Sequence, residues 1–140
     1  MIKKIYKSML LSLILVNANP LLAADDYPPI NVLLSSTLST LGQAIEYPEG
    51  KAKITAAIIT MKPGDKTGVH IHNAPLFVYI MEGQVSVDYG KDGIKIYKVG
   101  DSFIEAFKTE HYGENTGVSI TRILTVYAGA VGTQNTVMEK

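Results

Sequence analysis

The chain has 140 residues, with 13 basic and 13 acidic side chains, three histidines and no cysteine. That length suits one compact domain. The even charge balance excludes a basic footprint for nucleic acid. The lack of cysteine excludes disulfides, thiol nucleophiles and sulfur ligands, so any metal site must be built from nitrogen and oxygen.

The first stretch, MIKKIYKSMLLSLILVNANPLLAADD, opens on Lys3, Lys4 and Lys7 and continues through an apolar run from Ser8 to Val16. It then reaches the small-residue exit Leu21–Ala24, ahead of Asp25 and Asp26. This order predicts a secretory signal peptide over residues 1–24, with cleavage after Ala24 or, one residue earlier, Ala23. The apolar run is interrupted by Asn17, Asn19 and Pro20, and falls short of the roughly 20 residues of a stable membrane span. No cysteine stands at the exit to carry a lipid anchor. The expected product is an exported protein, periplasmic or secreted. Removing 24 of 140 residues leaves 116 and takes three basic groups with it, so the charge becomes 10 − 13 = −3. A chain of 116 residues without disulfides must depend on its core, and it is long enough to form one.

Residues 25–52 read as a lead-in followed by a first strand. Asp25 to Pro29 is polar and proline-bearing, and Asn31 to Leu41 (NVLLSSTLSTL) has the Ser and Thr content of a strand rather than a helix. Tyr47–Gly50 is a turn. From Lys53 the strand signal is steady: KITAAIITMK runs to Pro63–Gly64, and LFVYIM (76–81) ends at Glu82–Gly83. QVSVDY (84–89) and IKIYKV (94–99) alternate polar and apolar around the loop Gly90–Gly93. Ser102–Phe107 and VSITRILTVYA (118–128) complete the set. Short strands separated by glycine turns predict an all-β antiparallel sandwich or barrel over 53–128. Residues 129–140 read as a loose tail.

Two of the three histidines occupy GVHIHNAPLFVYIMEG (68–83). Residues two apart on a strand share a face and lie about 6.6 Å apart along it. His70 and His72 therefore point together, with Ile71 opposed. An isolated His-x-His is weak evidence, more often a polar pair on a strand edge than a ligand pair. The third, His111, also follows a Gly–Asp turn and a strand, in GDSFIEAFKTEHYGEN.

At these residues the chain resembles the cupin superfamily, small barrels of the jelly-roll type. The first cupin motif is glycine, five residues, His-x-His, three or four residues, glutamate, six residues, glycine. Gly64, His70, His72 and Gly83 match it. The second motif is glycine, five residues, Pro-x-Gly, two residues, histidine, three residues, asparagine. Gly100, His111 and Asn115 match it, with Ala106 and Lys108 standing where proline and glycine are usual. The resemblance spans about Lys53 to Ala128 and implies a single-domain cupin barrel with His70, His72 and His111 as ligands of a divalent ion.

The motif glutamate falls on Leu76 or Phe77, both apolar. Zinc, iron, manganese, nickel and copper all accept imidazole, so ligand type does not select among them. Glu105 and Glu110 stand near enough in sequence to offer an oxygen. Leu76, Phe77 and Tyr112 are the expected pocket lining, and they favour a small apolar or aromatic ligand. If the chain is an enzyme, the resemblance implies a metal-dependent oxygenase, isomerase or decarboxylase. A metal-free binding module and a non-catalytic dimeric structural cupin are the alternatives. Cupins commonly pair through a strand edge, which makes a homodimer the expected assembly.

Overall fold

The computed structural model describes residues 28–139. The expected leader (1–24) and the lead-in as far as Tyr27 lie outside the described residues. Among those described, the strands are β1 (Ala52–Met61), β2 (His70–His72), β3 (Leu76–Glu82), β4 (Gln84–Asp88) and β5 (Ile94–Lys98). They continue with β6 (Ser102–Ile104), β7 (Tyr112–Glu114), β8 (Thr121–Ala130) and β9 (Thr136–Met138). A single 3-10 turn, Gly90–Asp92, closes the β4–β5 hairpin.

Every strand pair is antiparallel. One sheet has the order β1-β8-β3-β6, a second β5-β4-β7, and β2 pairs with β9. Bridges His70↔His111 and Lys66↔Glu114 tie the β2 segment to β7, which extends the second sheet towards β9. The two layers close over a core of Met61, Leu76, Val78, Ile80, Val85, Val87, Tyr89, Phe103, Ala106 and Ile123. This all-β arrangement is the jelly-roll barrel expected from the strand pattern. It follows from the alternation: Leu76, Val78 and Ile80 on β3 are buried while Phe77 and Tyr79 are half-buried, as period-2 side-chain placement requires. Gly83 turns β3 into β4 at φ +73°, and a Cβ there would sit 2.6 Å from the Ile120 carbonyl oxygen, so both conformation and space demand glycine.

Two expectations are corrected. The segment 31–41 is not a strand: apart from a single Leu38↔Ala44 bridge it is irregular. Its serines satisfy the backbone locally, in competition with a ladder. Ser36 Oγ donates to the Leu38 carbonyl at 2.7 Å, and Ser39 Oγ accepts from the Leu41 and Gln43 N–H groups, each at 3.2 Å. The tail is not loose either. Residues 136–138 form β9, in register His70↔Met138, Ile71↔Val137 and His72↔Thr136. The free edge of β2 supplies the partner that a three-residue strand needs. Two boundaries also move. The strand expected over 102–107 stops at Ile104, and the one expected over 118–128 runs from Thr121 to Ala130.

Candidate metal centre

The β2 strand places His70 and His72 on its inner face, both buried, with Ile71 half-buried on the other. His111 enters from just before β7. Its backbone exchanges two hydrogen bonds with His70, at 3.0 and 3.1 Å, so the two residues are direct cross-strand partners. The three rings gather: centroids are 4.8 Å apart for His70–His72, 4.5 Å for His70–His111 and 5.0 Å for His72–His111. One ring nitrogen from each lies within 4.8 Å of the others.

Hydrogen bonding sets which nitrogens these are. His70 Nδ1 is 2.7 Å from the Gly68 carbonyl oxygen, and His111 Nδ1 is 2.8 Å from that of Thr109. His72 Nδ1 is 3.3 Å from the Asn135 carbonyl oxygen and 3.2 Å from Thr136 Oγ1. A carbonyl only accepts, so each Nδ1 carries the proton and each Nε2 keeps its lone pair. His111 Nε2 is buried and has no hydrogen-bond partner. A lone pair held in that way is costly unless something meets it. Fixing Nδ1 on a carbonyl is also how proteins orient metal-binding imidazoles. The donor set therefore fits a divalent ion.

Burial pushes all three imidazoles below their ordinary range. For His72, burial and the neighbouring His111 and His70 rings lower the pKa to about 3. Burial is also the leading cause for His70 and His111. The rings are neutral near pH 7, the form that ligates.

Glu105 joins them. It is buried, and its Oε2 lies 3.9 Å from His111 Nε2. Its Oε1 accepts from the Tyr89 hydroxyl at 2.6 Å and from the Ala106 N–H at 2.7 Å. Burial raises its pKa to about 7, against those two hydrogen bonds. His111 is neutral, so the 3.9 Å approach is not an ion pair in the metal-free chain. Glu110 is exposed and takes no part.

The rings and Glu105 line a cavity of about 240 Å³ with otherwise largely apolar walls. Leu76 lines it as expected. Phe77 does not, because it alternates to the outer face of β3. Tyr112 does not either: as the residue after His111 in an extended segment it faces outward, where its hydroxyl donates to Asp88 at 3.2 Å. Among the described residues, no lysine or arginine lines the cavity. Sequence reasoning missed Tyr127, Thr136 and Met138, which all line it. Tyr89, one residue past β4, continues the buried row of Val85 and Val87 and reads from sequence as ordinary strand packing; the β9 residues left no periodic signal. Asn115 holds the loop as its motif position implies, with Nδ2 donating to the Met61 and Ser119 carbonyls at 2.9 and 2.8 Å.

A two-motif barrel with a three-histidine centre is the architecture of cupins, and the cupin-domain family model matches residues 57–127, just over half of the chain. The chain belongs to the cupin family. No curated protein matches it in sequence. Among solved structures it is similar to the Lactobacillus farciminis oxalate decarboxylase formate complex, with 21% identity and a TM-score of 0.53 over 61% of this chain and 26% of that one. It is also similar to a Bacillus subtilis oxalate decarboxylase with Mn(II) centres, with 24% identity and a TM-score of 0.50 over 61% and 23%. The chain thus spans about a quarter of the length of these enzymes, and at such identity the likeness establishes the fold.

Proposed function

We propose that this chain is an exported cupin that holds one divalent ion through His70, His72 and His111 and takes a small, neutral, largely apolar molecule into the barrel. One observation carries the reading: each Nδ1 is tied to a backbone carbonyl, which leaves three lone-pair nitrogens around one point, one of them buried without a partner. A bound divalent ion supplies Lewis acidity and acidifies coordinated water or a chelating hydroxyl. The chain does the rest. The Gly68, Thr109 and Asn135 carbonyls hold the ring orientations. Leu76, Val78, Phe103 and Ile123 keep bulk water out. With no lysine or arginine in the wall, an anionic ligand finds positive charge only at the ion, so a neutral ligand fits better. Export rests on the leader sequence, and cleavage is checked by N-terminal sequencing of protein secreted from a host cell.

The test is metal analysis of the untagged chain after reconstitution with zinc, iron, manganese, nickel or copper. One ion per chain is expected. No ion under any of these conditions refutes the metal reading and favours the metal-free binding module, which the apolar walls also suit. Oxygen uptake with a panel of small neutral phenols and diketones tests the oxygenase form that the resemblance implies.

The same proposal includes a homodimer. The outer face of the β1-β8-β3-β6 sheet carries apolar rows in register, Ala56–Val126–Phe77–Ile104 and Ile58–Leu124–Tyr79. Ile54 and Ile58 on β1 are 66% and 49% exposed beside a free strand edge. A two-fold related copy covers face and edge together. Sedimentation finding a monomer for the wild-type chain at micromolar concentration would sink this part.

A further inference from the structure

The cupin first motif carries a glutamate that falls here on Leu76 or Phe77. The alternation of β3 decides between them: Leu76 faces the cavity and Phe77 does not. The neighbour of Leu76 across the β3–β6 pair is Glu105. Phe77 is in register with Ile104, and the Glu105 N–H donates to the Leu76 carbonyl at 2.9 Å. Residues so opposed put their Cβ atoms about 5 Å apart on one face of the sheet. The carboxylate missing from one strand stands on the next, aimed into the same cavity. We infer that Glu105 is the carboxylate ligand of the metal centre and binds the ion through Oε2.

The two oxygens of Glu105 are unlike each other. Oε1 is anchored by the Tyr89 hydroxyl and the Ala106 N–H. Oε2 has no such partner and faces His111 Nε2. One tethered oxygen and one free oxygen is the arrangement of a monodentate ligand whose orientation is fixed from behind. The anchor itself departs from the motif. Position 106 is usually proline, which has no N–H to give; alanine there supplies the second hydrogen bond. Tyr89 is in turn held by Tyr97 at 3.5 Å, and Tyr97 by Thr40 Oγ1 at 2.6 Å, so the carboxylate is backed by a hydrogen-bonded chain reaching the irregular segment before β1. An anionic oxygen beside three neutral imidazoles lowers the net charge of the centre from +2 to +1. It also makes the donor set harder, which suits manganese better than three imidazoles alone do.

This inference rests on the three-histidine reading, and Co(II) titration of the full untagged chain separates the two. Wild type, Glu105→Gln, Tyr89→Phe and His111→Ala are compared by dissociation constant and by the visible d–d bands of the bound ion, with circular dichroism to verify folding. Glu105→Gln is expected to weaken Co(II) on the order of 100-fold and to alter the bands, and Tyr89→Phe to weaken it on the order of 10-fold. Wild-type affinity and unchanged bands in Glu105→Gln, with binding abolished in His111→Ala, overturn the role of Glu105 and leave the histidines standing. Should Glu105→Gln fail to fold, an unchanged dissociation constant in Tyr89→Phe overturns it instead. Absence of Co(II) binding by the wild type overturns the three-histidine reading and this inference together.

Discussion

Moving the carboxylate back across the strand pair tests the wall that Leu76 and Glu105 share. Leu76 is 3% exposed and Glu105 is 5% exposed, on adjacent strands facing one cavity. In Leu76→Glu two glutamates leave the sheet from Cβ atoms about 5 Å apart on one face, and their carboxylates are taken at roughly that spacing. At an effective dielectric near 20 their repulsion when both are ionised is about 3 kcal/mol. Protonation of one caps the penalty, so the expected coupling is about 2 kcal/mol at pH 9. The loss of the buried leucine adds a further ~2 kcal/mol, which is common to both backgrounds. The assay is urea unfolding of the metal-free wild type, Leu76→Glu, Glu105→Gln and the double variant, followed by Co(II) titration of each. Leu76→Glu is expected to cost about 2 kcal/mol less in the Glu105→Gln background than in the wild type. The double variant should recover at least about tenfold of the affinity that Glu105→Gln loses. Stability effects additive to within about 0.5 kcal/mol, with no recovery of affinity in a folded double variant, refute the reasoning.

Thr136→Val keeps the shape of β9 but removes the Oγ1 that lies 3.2 Å from His72 Nδ1 and 2.9 Å from the Tyr127 hydroxyl. A loss of about 1 kcal/mol in stability and roughly tenfold in Co(II) affinity is expected, and unchanged affinity would show that the Asn135 carbonyl suffices. The metal-free chain should have a bell-shaped stability near pH 6.5. His72 has its pKa lowered from 6.5 to about 3, so its contribution is complete above pH 6.5 and lost as pH falls towards 3. His70 and His111 move in the same direction. Glu105 has its pKa raised from 4.5 to about 7, so its contribution is complete below pH 4.5 and lost as pH rises through 7. Urea midpoints measured from pH 4 to 8 should therefore fall more steeply on the acid side, and in Glu105→Gln the alkaline decline should vanish; midpoints independent of pH contradict this. Lys108 has φ +53° where the second motif usually has glycine. Lys108→Gly is expected to raise stability by about 0.5–1 kcal/mol in urea unfolding, and a decrease would mean that the lysine side chain compensates for its backbone.

The barrel was legible in sequence because its long strands carry a period-2 pattern, and glycine turns delimit them. LFVYIM falls within β3, and QVSVDY and IKIYKV coincide with β4 and β5 except for their last residues, Tyr89 and Val99. The histidine cluster was legible because spacing on a strand fixes the face, and two matched motifs fix which strands meet. Three things were missed. The choice of Leu76 over Phe77 was available from the closing Gly83, which has six residues between it and Leu76 as the motif requires, but the allowance of three or four residues after His72 kept both open. Tyr112 was expected to line the pocket because it follows His111 in sequence, whereas the pleat sends adjacent residues to opposite faces. The tail holds only a three-residue strand, and its partner, β2, lies more than sixty residues earlier. Such a pairing is written in tertiary contacts, not in local propensity.

The motif departures at positions 76 and 106 read best together with Glu105, which fills one of the five unspecified positions between Gly100 and residue 106. A glutamate at 105 makes a second carboxylate at 76 costly, since two such side chains rising from Cβ atoms about 5 Å apart cannot both stay ionised in a buried site. Leucine at 76 removes the conflict and fills the wall. A buried carboxylate at 105 in turn needs donors behind it. The Tyr89 hydroxyl supplies one at 2.6 Å, and the other, at 2.7 Å, exists because residue 106 is alanine and has an N–H. Restoring proline at 106 while leaving Glu105 in place removes that donor, and restoring glutamate at 76 while leaving Glu105 in place adds the repulsion. Each residue is thus explained by the other two, and β3 and β6, paired side by side in one sheet, are the part of the barrel where such an exchange keeps the charge facing the same three rings.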